Sequence, residues 1–346
     1  MMDIGANLLS GQFRGRYNGS AKHAPDLDAV LRRADAAALT EIIVTAGSLA
    51  ESRRALALAR RVNASGAYRV RLHSTVGVHP TNTAQLEPCA AHAGGGGGGG
   101  AAACDCAAAA GSSDGDGSGG DGGEARPPGR RLDKAAYVAA LERVLVDGLS
   151  DGTVVAVGEC GLDYDRLHFA PRDTQLANFE FHFDLAARHG LPLFLHDRNT
   201  GGDFAAVARR HLHRVPGGVV HSFTGTPHEL DEYLALGLDI GLNGCSLKSE
   251  SNCAVAAAVP LGRLHLETDA PWCEIRRTHA SFRHVRTHWP PAVEPKKHAP
   301  DRLVKGRSEP AQLLQVAEAV AGVRGAELSE VLAAAYANSR RLFLRR

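Results

Sequence analysis

Short apolar runs that each end in a residue able to bind a metal recur along this chain, and no other feature narrows its fold so far. Val154-Val155-Ala156-Val157 leads through Gly158 into Glu159-Cys160-Gly161-Leu162-Asp163. Leu193-Phe194-Leu195 ends in His196, Gly218-Val219-Val220 in His221-Ser222, and Leu264-His265-Leu266-Glu267-Thr268 in Asp269. Runs this short and this rich in β-branched residues read as strands buried on both faces of a parallel sheet. Helix-like sequence separates one from the next. In a closed barrel of parallel strands all strand ends reach one face, so Glu159, His196, His221 and Asp269 are expected to converge although they are far apart in sequence.

The rest of the chain supplies the missing units. Asp3 to Asn7 forms the end of a first strand, Glu41 to Thr45 a second, Val70 to Val76 a third running into Gly77-Val78-His79-Pro80, and Leu238 to Leu242 a seventh, making eight. Helical spacing covers 26 to 38, 49 to 63, a stretch capped by Asp133, another from Asp173 to Gly190, then 203 to 213, 227 to 236, 252 to 259, 309 to 323 and 328 to 344. The fold class is therefore α/β, a TIM (β/α)8 barrel. Such a barrel needs about 250 residues and accepts insertions, so residues 1–346 read as a single domain. Residues 89–129 collapse into Gly, Ala, Ser and Asp. Such a segment has almost nothing to offset the entropy of ordering, and reads as a disordered insertion.

A net charge of +1 sets no global preference for acidic partners, so nucleic-acid affinity must be local. From Arg276 to Arg307 there are nine Lys or Arg, four His and only two acids, the best such footprint in the chain. Trp272 and Trp289 flank or lie in it, and two readings stand for each: stacking on bases, or packing the loop to the barrel rim. Seven cysteines, an odd number with no CxxC pair, suit a reducing compartment better than a disulfide framework. The N-terminus has no signal-peptide pattern and no run of 18 apolar residues occurs, so the chain reads as soluble and intracellular, in nucleus or cytoplasm. Nothing marks a membrane or an obligate protein partner.

A single histidine at a strand end is more often hydrogen-bonded structure than a ligand. Four ligand-type residues at the same position of four strands are another matter. Two histidines and two carboxylates suit a divalent cation, Zn²⁺, Mn²⁺ or Mg²⁺, without selecting among them. Such an ion acidifies bound water and polarises a phosphoryl or carbonyl oxygen, which is hydrolase chemistry. Glu159 is the expected bridge if two ions bind, and Asp269 both a ligand and the general base. Arg198 and Lys248 are candidate phosphate contacts. Asp163 is either a partner of a ligand or a turn carboxylate. His265, within a strand, and His182, His189, His211 and His213, on helices, read as structural or solvent-facing.

At these residues the chain resembles the TatD family of metal-dependent deoxyribonucleases, in its eukaryotic branch. The resembling stretches are Gly77-Val78-His79-Pro80, Gly158 to Asp163, Phe194-Leu195-His196, Val220 to Thr226, Asn243 to Lys248 and Glu267 to Trp272. They cover nearly the whole chain except the low-complexity insertion. The resemblance implies an amidohydrolase-type barrel with Glu159, His196, His221 and Asp269 as metal ligands, His79 beside the substrate phosphate, and DNA cleavage, exo- or endonucleolytic, in repair or DNA breakdown. Arg307-Ser308-Glu309-Pro310 is similar to the family's Arg-Asn-Glu-Pro stretch and places Arg307 among the substrate contacts. Many relatives begin Asp-x-His-x-His, where this chain has Gly5 and Asn7. Asn7 then offers one weak oxygen to a first ion, which leaves three readings open: an ion bound loosely, Mg²⁺ with its waters retained, or no ion there.

The expected function is metal-dependent hydrolysis of DNA phosphodiester bonds. A metallohydrolase of an amide or aminoacyl ester is the first rival, since one barrel supports both reactions. A non-catalytic nucleic-acid scaffold is the second.

Overall fold

In the computed structural model, residues 1–87 and 132–344 are described, and the insertion predicted at 89–129 lies outside them. Eight strands form one parallel sheet in chain order: β1 Met2–Ala6, β2 Glu41–Val44, β3 Arg71–Val76, β4 Val154–Asp163, β5 Leu193–Arg198, β6 Gly218–Val220, β7 Asp239–Leu242 and β8 Leu264–Leu266. The ring closes where Ala6 bridges Ala270 in parallel. There Asn7 N–H donates to the Ala270 carbonyl at 2.7 Å and Asp269 N–H to the Gly5 carbonyl at 2.8 Å. Closure leaves no sheet edge and brings the first and last strands side by side.

The predicted barrel is what forms, and its interior is packed rather than open. Met2, Ile4, Ile43, Val155, Phe194 and Val219 make one cluster inside the strands, plugged from the N-terminal end by Leu342 and Phe343 of the last helix. Outside run α1 Leu27–Ala36, α2 Leu49–Ser65, α3 Lys134–Ser150, α4 Arg172–Ala177, α5 Phe181–His189, α6 Asp203–His211, α7 Pro227–Ala235, α8 Glu250–Ala258, α9 Leu313–Arg324 and α10 Leu328–Phe343. Asp133 caps α3 as its position suggests, accepting from Ala136 N–H at 2.7 Å. Among the described residues no helix is long and apolar enough to cross a membrane.

The single helix expected from Asp173 to Gly190 is two. Asn178, fully buried, donates its side-chain amide to the Thr174 carbonyl at 2.8 Å and to Glu87 at 2.9 Å. A side chain that competes in this way for backbone groups interrupts the helical ladder. Asp173 lies in the first turn of α4 rather than at its cap, which is Pro171. A short hairpin, Arg16–Tyr17 against Ser20–Ala21, follows β1 and has no counterpart in the predicted elements. Among the described residues, Val146 aside, the large apolar side chains standing exposed are Leu167 and Phe169, on the loop after β4.

Candidate metal centre

Strand β4 is ten residues long, so Glu159 sits inside it rather than at its end. Its pairing with β5 slips between Gly158 and Cys160, leaving Glu159 as the extra residue of a bulge, its N–H bonded to the Ala46 carbonyl at 2.9 Å. A bulge breaks the strict alternation of a strand and re-aims one side chain. The flanking glycines are required: a Cβ at Gly158 would lie 2.3 Å from the Phe194 carbonyl, and one at Gly161 1.8 Å from that of His196, both at φ +148.

The bulge turns Glu159 onto the two histidines of the next strands. Its Oε1 lies 3.0 Å from His196 Nδ1 and 2.8 Å from His221 Nε2, and the two nitrogens are 3.3 Å apart. The far side of each ring is backed by a carboxylate. His196 Nε2 meets Asp163 Oδ2 at 3.2 Å, while Asp163 Oδ1 accepts from Asp165 N–H at 3.1 Å, so Asp163 serves both as partner of the ring and as turn carboxylate. His221 Nδ1 faces Glu267 Oε1 at 3.6 Å, and this nitrogen and Glu267 Oε2 are buried without a hydrogen-bond partner. Carboxylate, histidine and a shared focus is the arrangement in which an outer carboxylate fixes a metal-binding ring.

The electrostatics describe a site that takes up positive charge. Burial alone would push the Glu159 carboxyl up, but the charges of His221 and His79 and hydrogen bonds from His196 and His221 hold it well below the ordinary range. Burial opposes protonation of both rings too. It is outweighed at His196 by Asp163 and Glu159, and at His221 by Glu159 and Glu267, so both are raised. Glu159, His196 and His221 together are able to hold a metal ion, as are His79, Asp163 and His196. Two nitrogens and a carboxylate in this compact set fit a divalent cation, which would replace the protons now shared between them.

Asp269 stands on the wall of the same cavity, outside that tight trio. Asn7 Nδ2 donates to its Oδ1 at 2.8 Å and Cys273 Sγ to its Oδ2 at 3.4 Å. Burial pushes its carboxyl up to about 6, with His221 pulling it down and Glu267 and Glu159 pushing it further up. A nearby cation would keep such a carboxylate ionised. Asp269 and Ser222 both have left-handed backbone, φ 52 and 50, conformations that side chains occupy mainly where neighbours enforce them.

Asn7 lines the cavity as well; its oxygen accepts from Thr45 Oγ1 at 2.7 Å and its amide holds Asp269. Gly5 leaves room for Glu267: a Cβ there would come 2.8 Å from Glu267 Oε2. Arg307 is the clear correction. Expected beside substrate, it is 1% exposed, does not line the cavity, and pairs with Asp26 at 2.8 and 2.6 Å and Glu309 at 2.8 Å. The basic segment is likewise partly neutralised, Arg283 by Glu250 and Lys305 by Glu294.

The cavity, about 390 Å³, is lined by His79, Arg198 and Lys248, and by Trp272 but not Trp289. Arg166 joins them. Sequence reasoning passed over it, although an arginine three residues beyond Asp163 at a strand end was a usable signal. His79 Nδ1 accepts from Thr81 N–H at 3.2 Å, which leaves the ring proton on Nε2, 3.4 Å from Glu159 Oε1. Among the described residues His265 is structural, its Nε2 3.1 Å from Asp239 Oδ2, whereas His213 stands exposed.

His182 fixes the loop that carries His79. Its Nε2 accepts from Val78 N–H at 3.0 Å and its Nδ1 donates to the Phe179 carbonyl at 3.0 Å, so the ring must stay neutral. Burial lowers its pKa from 6.5 to about 3. Below pH 6.5 the unfolded chain takes a proton that the native ring refuses, so stability falls as pH drops toward 3. The loss is about 2 kcal/mol at pH 5. Gln at this position can make both hydrogen bonds and does not titrate. Urea midpoints at pH 7 and pH 5 are expected to move less in His182→Gln than in the wild type; an equal shift in both would contradict this assignment.

The comparisons agree with this geometry. The family described as TatD related DNase matches residues 3–344. A fission-yeast protein (Schizosaccharomyces pombe) named deoxyribonuclease Tat-D is 36% identical over 339 residues, 97% of this chain and 93% of its own length. A 3′-5′ ssDNA/RNA exonuclease TatD from Edwardsiella piscicida is 34% identical over 79% of this chain and 80% of its own. The crystal structure of a TatD-family hydrolase from Entamoeba histolytica superposes with a TM-score of 0.81 at 29% identity, covering 100% of this chain and 98% of that one. With a closed eight-stranded barrel and a family match from its first strand to its last helix, the chain belongs to the TatD related DNase family.

Proposed function

We propose that the protein is a metal-dependent deoxyribonuclease, one catalytic domain spanning 1–346, in which Glu159, His196, His221 and Asp269 hold a divalent ion. The observation that carries this is the convergence of Glu159 on His196 Nδ1 and His221 Nε2 at 3.0 and 2.8 Å, in a cavity lined by Arg166, Arg198 and Lys248. The names of the yeast and bacterial relatives support DNA as substrate, and the bacterial one favours attack from a 3′ end. When bound, the ion supplies Lewis acidity and an acidified water. Mg²⁺ leads, with Mn²⁺ and Zn²⁺ as alternatives, because Gly5 and the engaged Asn7 add no free protein ligand for a second ion; there Glu159 would bridge and waters would complete the shell. Nucleus and cytoplasm, where DNA is met, are the compartments this reading favours.

The chain's own groups do the rest. Arg166, Arg198 and Lys248 bind the phosphate oxygens as charge-assisted donors. His79, its proton on Nε2, donates to a non-bridging oxygen. Asp269 takes the proton of the attacking water, held in line by Asn7 and Cys273, and Trp272 offers a face on which a base stacks. Lys248→Ala is expected to raise KM for DNA by about tenfold with a smaller change in kcat, and to reduce the salt dependence of binding. Unchanged KM across a salt series would remove Lys248 from the substrate path. The function itself is tested with 3′-labelled single-stranded DNA, supercoiled plasmid and a panel of small amides. Cleavage of DNA alone supports the proposal, and turnover of amides alone moves the protein to the amide hydrolases that share this barrel.

A further inference from the structure

Two thiols meet at the rim of the cavity and take no part as a pair in the chemistry above. Cys245 opens the turn Cys245–Leu247 after β7, and Cys273 lies just beyond Asp269 after β8. Both line the cavity, both are half-buried, and neither is in a disulfide. The two side chains are hydrogen-bonded to each other, and Cys273 Sγ–H reaches Asp269 Oδ2 at 3.4 Å. Their backbones are pressed together, since a Cβ at Gly244 would lie 2.0 Å from the Cys273 carbonyl oxygen. Cys273 is itself held in left-handed backbone, φ 57. The buried Cys160 and Cys253 differ: each thiol points at a backbone carbonyl, of Phe194 at 3.9 Å and of Leu247 at 3.6 Å.

The geometry points to a reversible oxidation site in which a peroxide joins Cys245 and Cys273 as a disulfide, removing the S–H donor from Asp269 and tying the β7 and β8 loops together across the cavity mouth. The Cys245 sulfur attacks the peroxide O–O bond, giving a sulfenic acid and one water. The Cys273 sulfur then attacks the Cys245 sulfur; the S–S bond forms, the S–OH bond breaks, and the hydroxide leaves as a second water with the Cys273 proton, which Asp269 Oδ2 is placed to pass on. Two thiols thus lose two protons and two electrons, and one hydrogen peroxide becomes two waters. Cys273 Sγ–H is already engaged with Asp269 Oδ2 at 3.4 Å, so the reaction is written as starting at Cys245.

The cross-link is independent of the nuclease reading; only its effect on turnover rests on that reading. The full chain is treated with hydrogen peroxide in metal-free buffer, alkylated, digested and mapped by mass spectrometry, then reduced with dithiothreitol. The expected product is a peptide pair joined through Cys245 and Cys273, lighter by two hydrogens and separated again by the reductant. After metal is restored, DNA cleavage by the oxidised wild type is expected to fall about tenfold and to recover on reduction. Cys245→Ser, or Cys245→Ala if the serine does not fold, is expected to form no such pair and to keep its own untreated rate after peroxide. Both cysteines alkylated after peroxide would overturn the oxidation site whether or not DNA is cleaved. A joined pair with undiminished cleavage, or equal losses in wild type and variant, would overturn its control of the site.

Discussion

Glu159→Gln is expected to lower the rate of DNA cleavage by about 10³-fold or more while leaving the barrel folded. Glu159 is the one carboxylate that touches both histidines of the site, and His79 reaches it from a third strand end at 3.4 Å. Gln keeps the volume and the bulge but removes the negative charge on which the divalent ion and the proposed bridge depend. It also places an amide where a metal donor is needed. The barrel does not rely on that charge, because the interior cluster of Ile4, Ile43, Val155, Phe194 and Val219 forms beneath it. Circular dichroism, metal content after gel filtration and single-turnover cleavage of labelled DNA check this together. A folded variant that keeps its metal and its rate would show that the ion sits elsewhere.

Arg307→Ala is expected to destabilise the fold by about 3 kcal/mol and to leave KM for DNA unchanged in the protein that remains folded. The guanidinium is buried over the Phe13 ring, 5.1 Å away, with both terminal nitrogens on Asp26. Removing it strands that carboxylate in the interior, with His298, 3.1 Å away, and His23 as its neighbours. Glu309 is less exposed to the loss because Arg33 also holds it, at 2.7 and 3.0 Å. Lys does not restore the paired contact, since a single ammonium cannot reproduce the two parallel N–H donors. Urea unfolding at pH 7 measures the loss, which is large beside the 5–15 kcal/mol typical of a domain. Unchanged stability with a raised KM would return Arg307 to the substrate.

These two residues mark how far the sequence could be read. The barrel was legible because strand and helix periods alternate, and because strand ends in a parallel barrel share one face whatever lies between them. That placed Glu159, His196, His221 and Asp269 in one cavity. The bulge at Glu159 was not legible: an apolar run shows that a strand exists but not where its pairing slips, and only the contacts of Gly158 and Gly161 with β5 reveal it. The break at Asn178 was hidden for the same reason, since a buried amide's choice of partner is decided by tertiary neighbours such as Glu87.

Charge misled where its partner was distant in sequence. Arg307 looked like a phosphate donor until Asp26 appeared beside it. Glu267 carried the opposite lesson. Lying two residues before Asp269, it backs His221 from the fully buried side, in space that Gly5 leaves open. The Cys245–Cys273 pair was invisible because its members belong to separate loops with no motif spacing between them.

The most direct test of the account is cleavage of 3′-labelled DNA by protein stripped of metal and then reloaded with Mg²⁺, Mn²⁺ or Zn²⁺, beside Asp269→Asn treated alike. The stripped protein is expected to cleave nothing and to recover on reloading, and the variant is expected not to recover. Cleavage that persists in the stripped protein, or returns equally in Asp269→Asn, would contradict it.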